Sequence, residues 1–287
     1  METDSKNLVT AIRQSLPRAA WWAVCSSLAV LFLYPLYVLL SQSLKSPGEA
    51  AAAPPTLYPH GLSLDNFRAL DGDPGIGIVS SAGNSLMVSL GAALATVVLS
   101  TLAGYGFARL RFPGSNILFY AALATFMVPF QAVITPLYLL LNNLGLQNSL
   151  LGLVAVYTTF QLPFGLFLMR NSFAAVPRSL EEAALIDGCG ILKAMVRVVL
   201  PVAVPGVITT ALLTFFACWN EFFAVLILIT DQEKFTLPVS LSVLSSGNLG
   251  SVNWGVLEAG VVVTIVPCVV IYLLLQKYYV GGLLSGR

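Results

Sequence analysis

The residues with the most specific spacing in this chain lie in a polar stretch between two long apolar runs. Glu182-Ala183-Ala184 is followed after three residues by Gly188, and nine residues later by Val198-x-Leu200-Pro201. Ser179 and Glu182 have the spacing of a helix capping box, and Gly188 stands where a left-handed residue would end that helix. We therefore expect two short helices joined by a glycine, a unit with which a protein could dock on a partner.

The same stretch has a simpler interpretation. An amphipathic helix can lie along a membrane surface and bind nothing, in which case Glu182 only caps its helix. Lys193 and Arg197 lie four residues apart on one polar face of the second helix, and Pro201 and Pro205 would bend the chain back into the following apolar run. The residues alone leave both interpretations open.

A second group of candidate residues lies inside the apolar runs. Glu221, beside Asn220, is the main ionisable one, and a carboxylate at mid-depth in lipid costs about 3 kcal/mol. It should therefore face an interior, either as part of a solute pathway or as an anchor between helices. Gln131 and Thr135 offer further donors and acceptors, although polar groups of this kind also hold membrane helices together.

Catalytic chemistry finds little support. A membrane-embedded enzyme would need paired carboxylates, a nucleophile with its base, or metal ligands. The chain has one histidine, His60, in a polar segment, and its four cysteines form no CxxC pair. It contains no G-x-x-x-x-G-K-[ST] loop and no basic tract. We expect no metal, cofactor or nucleotide site in this chain, and no nucleic acid as partner.

The composition indicates that most of this chain lies in a lipid membrane. Hydrophobic residues make up 57% of the 287 residues and charged residues 9%, against roughly 25% charged in soluble domains. A membrane-spanning helix needs about 20 apolar residues, so the charge-free stretches predict six spans. They lie between Arg18 and Lys45, from Asn84 to Arg109, twice between Arg111 and Arg170 with a polar turn at 142–149, at 204–230, and at 257–277.

Prolines are expected to bend these helices. A proline removes a backbone hydrogen bond and favours a kink, and the following prolines all fall within or at the ends of the predicted spans: Pro129, Pro136, Pro163, Pro201, Pro205 and Pro267. The predicted fold is an all-α membrane protein with six transmembrane helices, kinked spans and one polar loop that carries the spaced motif.

The distribution of basic residues predicts the orientation. With the N-terminus inside, only Lys45, Arg68 and Lys234 of the 14 Lys and Arg residues fall outside, as the positive-inside rule requires. Both termini, 1–18 and 281–287, are then cytosolic and flank a six-span domain over 19–280. Loops 45–83 and 231–256 are outside, and loop 171–203 is inside. A cleaved signal peptide in place of the first span is the less favoured alternative.

At this point the chain resembles a known family. Its spaced motif is similar to the EAA loop of binding-protein-dependent ABC importer permeases, E-A-A, three residues, G, nine residues, I-x-L-P, with Val198 in place of Ile. Other stretches resemble the maltose-type (MalG-like) permeases of carbohydrate importers. They are Leu64-Asp65-Asn66-Phe67, Asn84-Ser85-Leu86, Tyr105-Gly106-Phe107-Ala108-Arg109, Thr135-Pro136-Leu137-Tyr138, Trp219-Asn220-Glu221-Phe222 and Thr236-Leu237-Pro238-Val239. The resemblance covers about residues 28–286.

The resemblance implies a permease subunit that imports a sugar or sugar-like solute: an oligosaccharide, polyol or glycerol phosphate. Its loop would form a coupling helix in a cleft of a separate ATPase dimer, which binds ATP and Mg. This coupling set comprises Ser179, Glu181, Glu182, Ala183, Ala184, Asp187, Gly188, Leu200 and Pro201. The pathway candidates are Gln131, Thr135, Asn220 and Glu221.

The remaining implied partners are a second six-span permease (MalF-like) and an extracytoplasmic solute-binding protein at a bacterial cytoplasmic membrane. Residues Gly247, Asn248, Leu249 and Gly250 of the second outer loop could reach that binding protein, or could simply be a mobile connector. A secondary transporter is the alternative function. It would require an internal repeat and ion-coupling residues within the membrane; no clear repeat is present, and Glu221 is the main ionisable candidate.

Overall fold

The structure is a computed structural model that describes residues 18–52, 54, 56–71, 77–246 and 252–284. Over these residues the secondary structure is helical, without a strand, which confirms the all-α prediction. The helices are α1 (Arg18–Ser43), α2 (Pro47–Ala50), α3 (Asp65–Arg68), α4 (Ile78–Arg109), α5 (Ser115–Thr125), α6 (Phe130–Asn143), α7 (Leu150–Ala175), α8 (Arg178–Ile186), α9 (Ile191–Ala194), α10 (Leu200–Val202), α11 (Val204–Trp219), α12 (Phe223–Leu228), α13 (Leu237–Ser246) and α14 (Trp254–Leu284). Short 3₁₀ turns cover Ala69–Asp71 and Gln232–Lys234, and a π-helical turn covers Met195–Val199.

Among the described residues, four helical segments are long and apolar enough to cross a membrane: Ala20–Ser43, Ile78–Arg109, Leu150–Ala175 and Trp254–Leu274. Two pairs of shorter helices pass the same test together but are strongly bent. The pair α5–α6 is bent by 95°, and the pair formed by Ile191–Val202 and α11 is bent by 78°. Counting each bent pair as one span gives six, in agreement with the six kinked spans that the sequence predicts.

Proline positions account for the bends. Pro129, with an extended ψ of 131°, precedes α6 at the 95° bend. Pro205 lies in the first turn of α11, and Pro201 in the short α10 just before it, on either side of the 78° bend. Prolines also lie inside α6, α7 and α14 without breaking those helices.

Two predicted span boundaries were wrong. The second span was expected to start near Asn84, but α4 begins at Ile78. The glycine-rich stretch 71–83 made this segment look like a loop. The serines of its first turns are paired in the fold, because Ser81 hydrogen-bonds Ser240 at 2.7 Å and Ser85 accepts from a backbone N–H at 2.8 Å. The fifth span was expected over about 204–230, but its helix ends at Trp219 and a separate short helix begins at Phe223.

The chain divides into two compact units. The smaller unit comprises residues up to Leu70 together with 249–262. Its central polar residue is the buried Asn66, whose amide donates to the backbone oxygens of Ser43 and Lys45 at 3.1 and 2.8 Å. A Cβ on Gly255 would lie 2.6 Å from the Oδ1 of Asn66, so only glycine permits this approach. Asn66 thus ties the end of α1 to the segments that follow it.

The larger unit comprises residues 71–248 and the chain from 263 onward. Helix α4 packs along α7, and α11 packs against both. Small residues make this possible: a Cβ on Gly104 would lie 2.7 Å from the Cβ of Met169, and Gly165 faces Thr96 and Thr210 at 3.0 and 3.2 Å. Because lipid provides no hydrophobic force between helices, such close backbone contact is the main source of their attraction.

Candidate functional site: an exposed helical loop and a central cavity

Helix α8 carries the spaced motif, and its start differs from the prediction. The helix begins at Arg178, after Pro177 in an extended conformation, and no side chain caps its N-terminus. The predicted capping box of Ser179 and Glu182 was therefore wrong. The proline presets the backbone so that the helix begins at Arg178, two residues before the predicted start at Leu180, which places Ser179 inside the first turn.

The end of α8 agrees with the prediction. Gly188 has a φ of +83°, and the backbone N–H of Cys189 donates to the oxygen of Ala184 at 3.0 Å. This six-to-one bond is the hallmark of a glycine-terminated helix. A Cβ on Gly188 would meet nothing within 4 Å, so the requirement for glycine here comes from backbone conformation alone. Helix α9 then begins at Ile191 as expected.

Helix α8 has one buried and one exposed side. Ala184 is buried, while Glu182, Ala183 and Asp187 are exposed. Ile186 is 86% exposed, an unusual position for a large apolar side chain. An exposed face that combines a carboxylate, a small residue and an apolar tip is suited to contact with another protein.

Glu181 contacts the helical bundle, whereas its neighbour Glu182 is exposed. Its carboxylate accepts a hydrogen bond from the hydroxyl of Tyr105 and lies 3.3 Å from the Nε of Arg109. The Arg109 guanidinium also donates to the backbone oxygens of Phe173 and Val176 at 2.8 and 2.6 Å. A buried arginine therefore joins the end of α4, the end of α7 and the first turn of α8.

The sequence did not reveal this connection. It placed Glu181 in the coupling set and treated Tyr105 and Arg109 only as parts of a family-like stretch. A signal was nevertheless present: Arg109 directly ends a long charge-free span, and such a cation near lipid needs a carboxylate or carbonyl partner. The adjacent pair Glu181-Glu182 offered two carboxylates in the next polar loop.

The second half of the loop packs against the ends of the spans. Met195 and Val199 of the π-helical turn are buried with Tyr105, Met169 and Phe173, and Leu200 packs against this cluster. Pro201 is exposed at the bend. The loop is thus bonded to the helical bundle on one side and exposed on the other.

A cavity of about 350 Å³ lies between α6, α7 and α11. Its polar lining residues are Gln131, Tyr157, Gln161 and Glu221, and its aromatic ones include Phe126, Phe130 and Phe160. Phe130 and Phe160 meet edge to face with ring centroids 4.8 Å apart. A mainly apolar cavity with a few polar groups is the usual form of a small-molecule site.

Glu221 lies at the break between α11 and α12. It accepts a hydrogen bond from the Tyr157 hydroxyl at 2.7 Å and from the backbone N–H of Ala224 at 2.9 and 3.1 Å. The carboxylate thus caps the resumed helix, where an N–H would otherwise lack a partner. The structure places Glu221 both as an anchor between helices and as a lining residue of the cavity.

Of the other three pathway candidates, one lines the cavity and two do not. Gln131 lies with Glu221 at the cavity, whereas Thr135 and Asn220 are exposed and lie outside its lining. The Asn220 amide donates to the oxygen of Phe216 at 2.8 Å. Gln161 is not among the four sequence candidates, although Tyr157 and Gln161 are four residues apart on α7 and so share a face.

Two asparagines hold the segment after α12. The Asn148 side-chain oxygen accepts from the backbone N–H groups of Thr230 and Asp231, both at 3.1 Å. The Asn84 amide donates to the backbone oxygens of Glu233 and Phe235 at 2.8 and 3.0 Å. The predicted binding-protein contact, Gly247, Asn248, Leu249 and Gly250, lies outside the described residues.

Within the described part of the chain, no group of three His, Cys, Asp or Glu side chains is arranged to hold a metal ion. The arrangement offers instead an exposed helix anchored by Glu181 and a cavity with hydrogen-bonding walls. An exposed helix of this kind would suit contact with a partner protein, and such a cavity would suit a small solute.

Comparisons with known proteins agree with this arrangement. The model of the family described as "Binding-protein-dependent transport system inner membrane component" matches residues 96–280. The diacetylchitobiose uptake permease NgcG of Streptomyces coelicolor is 34% identical, with 90% of this chain and 84% of that protein covered. The trehalose permease SugB of Mycobacterium tuberculosis is also 34% identical, covering 94% and 97%.

A third relative is the sulfoquinovosyl glycerol permease SmoH of Agrobacterium fabrum, 33% identical with 91% and 90% covered. Among solved structures, a chain of a bacterial ABC transporter that imports the acidic polysaccharide alginate superposes with a TM-score of 0.79. It covers 96% of this chain and 98% of that one at 23% identity, a likeness of fold. On the family match and these identities, the chain belongs to the inner membrane components of binding-protein-dependent transport systems.

Proposed function

We propose that this chain is one permease subunit of an ATP-driven importer and forms part of the pathway for a sugar or sugar-like solute. Relatives about one third identical are named for the uptake of diacetylchitobiose, trehalose and sulfoquinovosyl glycerol. The cavity beside Glu221, with its aromatic and amide walls, offers such a solute a place within this chain. An extracytoplasmic binding protein delivers the solute.

ATP and Mg bind at a separate ATPase dimer, and α8 docks in a cleft of that dimer. The observation that supports this proposal most strongly is that the neighbouring carboxylates Glu181 and Glu182 face in different directions. Glu181 is bonded inward to Tyr105 and Arg109, while Glu182 and Ile186 face outward. Because Glu181 fixes α8 to the helical bundle and Glu182 is free to contact a partner, α8 can transmit force between the partner and the bundle.

The transmission route follows from the contacts. When the ATPase cleft closes on α8, Glu181 carries the displacement to Arg109, which holds the ends of both α4 and α7. The spans then rock, and the pathway opens alternately to the two sides of the membrane. The free energy for this change is the difference in ATPase docking affinity between the two states.

In the proposed orientation both termini are cytosolic at a bacterial cytoplasmic membrane. Loop 171–203 faces the ATPase, and loops 45–83 and 231–256 face the binding protein, which Gly247–Gly250 contacts. The excess of Lys and Arg on one side supports this orientation. A second six-span permease completes the pathway.

The test is association of the ATPase with charge variants of α8. Glu182→Lys and Ile186→Asp should abolish copurification of the ATPase and ATP-driven uptake, while the variant chains still insert in the membrane. Glu233→Lys, at an exposed glutamate outside the loop, is the matched control and should copurify with the ATPase as the wild type does. Normal uptake in both α8 variants, or uptake by the purified chain without an ATPase, would refute the proposal; the second result would favour a secondary transporter.

A further inference from the structure

The cavity beside Glu221 is lined by two packed phenylalanine rings and by two glutamine side chains that have no hydrogen-bond partner among the described residues. Phe130 and Phe160 are fixed edge to face. Neither Gln131 nor Gln161 makes a side-chain hydrogen bond to any residue that the structure describes, although both line the cavity. Each amide has both donors and an acceptor to offer. Polar groups left free beside apolar walls in a cavity are suited to a ligand that carries hydroxyls.

The carboxylate adds one more acceptor. An ionised carboxylate has about four acceptor positions, and the described contacts of Glu221 use three: one from Tyr157 and a shared bond from the Ala224 N–H. The remaining position, on Oε1, can take a hydroxyl or an ammonium. The cavity volume of about 350 Å³ is at the small end of the roughly 300–1,000 Å³ of ligand sites, which suits one sugar ring.

The charge of the lining residues determines which sugars the cavity accepts. Among the described lining residues, Glu221 is the one charged side chain, and none is Lys, Arg or His. A carboxylate, sulfonate or phosphate on the solute would meet a fixed negative charge without a cation to compensate it. Inside a protein, like charges at contact distance weaken binding far more than in water.

We propose that this chain itself holds one pyranose ring in the cavity between α6, α7 and α11. The site takes uncharged or amino sugars and rejects anionic ones. This inference rests on the proposed function and narrows its substrate class. Among the solutes named for similar proteins, it favours the neutral disaccharides of NgcG and SugB over the anionic solutes of SmoH and the alginate importer. Gln131 and Gln161 bind the hydroxyls, Phe130 and Phe160 contact the C–H face, and Glu221 excludes anions.

The test is saturation-transfer NMR on the purified permease–ATPase complex without its binding protein, so that the selectivity of that protein does not enter. The probes are trehalose, maltose and diacetylchitobiose, with glucuronic acid and sulfoquinovosyl glycerol as anions. We expect transfer to the C–H protons of at least one neutral probe and more than about tenfold weaker binding of both anions. Gln131→Leu and Gln161→Leu should each weaken the neutral probe about tenfold.

Asn143→Leu is the matched control, since it removes an exposed amide of α6 outside the cavity lining, and it should bind as wild type. Glu221→Gln keeps an acceptor but removes the charge, and should raise binding of the anions relative to the neutral probe. Equal binding of anions and neutral sugars, no transfer to any neutral probe, or equal effects of Asn143→Leu and Gln161→Leu would overturn the site. The proposed function fails separately, if the same wild-type complex shows no ATP-driven uptake after its binding protein is added back.

Discussion

The Nε of Arg109 lies 3.3 Å from a carboxylate oxygen of Glu181, and their side chains are 4% and 14% exposed. The arginine ends a long apolar helix, and the glutamate begins a short polar one. Since the guanidinium also binds two carbonyl oxygens at the end of α7, its position is fixed from three sides. This makes Glu181 a positioning residue that acts through Arg109.

Glu181→Gln should uncouple the transporter without releasing the ATPase. The amide oxygen can still accept from Tyr105, but the ion pair with Arg109 is lost. We expect the solute imported per ATP hydrolysed to fall about tenfold, in line with the loss of a charged hydrogen-bonding partner, while ATPase affinity stays within a factor of about three.

Glu182→Gln gives the contrasting result, because Glu182 is exposed on the docking face. Its effect should appear as weaker, salt-dependent ATPase binding with an unchanged transport-to-hydrolysis ratio. Binding isotherms and uptake in proteoliposomes measure the two quantities. If both variants weaken ATPase binding to the same extent, Glu181 is not a positioning residue.

Gly188 and Gly190 form a natural pair of test sites two residues apart. Neither would bring a Cβ within 4 Å of another group, but Gly188 has a φ of +83° and Gly190 a φ of −70°. Gly188→Ala should therefore cost about 1–2 kcal/mol of loop stability and weaken ATPase association about tenfold. Gly190→Ala should have little effect. Equal effects would mean that the left-handed turn is dispensable.

Gly104 and Gly106 offer the same comparison inside the bundle. A Cβ on Gly104 would lie 2.7 Å from the Cβ of Met169 and 2.9 Å from the backbone nitrogen of Arg170, whereas one on Gly106 would meet nothing within 4 Å. Gly104→Ala should lower stability by about 1–3 kcal/mol, as overpacking does. Thermal unfolding in detergent measures it. A melting temperature for Gly104→Ala as high as that for Gly106→Ala would contradict the packing described.

The segment after α1 should lose order in acid. His60 donates its ring N–H and its backbone N–H to Glu49, and Thr56 adds a hydroxyl; the His60 side-chain bond is the largest cause that lowers the pKa of Glu49 below 4.5. A depressed carboxyl pKa stabilises the fold above the unfolded value, and that stability disappears as pH falls through the folded pKa. Proteolysis between residues 46 and 60 should therefore increase below about pH 4.

Glu49→Gln should make that cleavage nearly independent of pH while leaving the rest of the chain resistant. Thr56→Val, which removes one neutral donor and no charge, is the control and should keep the acid transition. A Glu49→Gln chain that still shows the wild-type transition would assign it to another group.

Local chemistry allowed much of this architecture to be predicted. The left-handed conformation of Gly188 and the bend between Pro201 and Pro205 follow from the residues at those positions, and long charge-free stretches suffice to locate spans. The start of α8 was wrong because Pro177 sets the backbone more strongly than Ser179 can cap it. In each correct case the cause lies within a few residues of its effect.

The remaining errors arise from contacts between residues distant in sequence. The break after Trp219 falls at the polar pair Asn220-Glu221, but two polar residues in an apolar run do not by themselves specify a break, and this one is supported by a hydrogen bond from Tyr157 to Glu221. The link between Arg109 and Glu181 likewise joins different helices. Pairings of this kind depend on how helices are placed side by side, which neither hydrophobic pattern nor motif spacing specifies.

The glycine-mediated contact of α4 with α7 limits where this protein can move. Backbones that touch through Gly104 and Gly165 cannot slide past each other without steric overlap, so these two helices move together as one rigid body. Motion is left to the interrupted helices, at 126–129, near Ala203 and at 220–222, where backbone hydrogen bonding is already discontinuous. Two of these three joints border the sugar-sized cavity, so any pivoting there changes the shape of its walls.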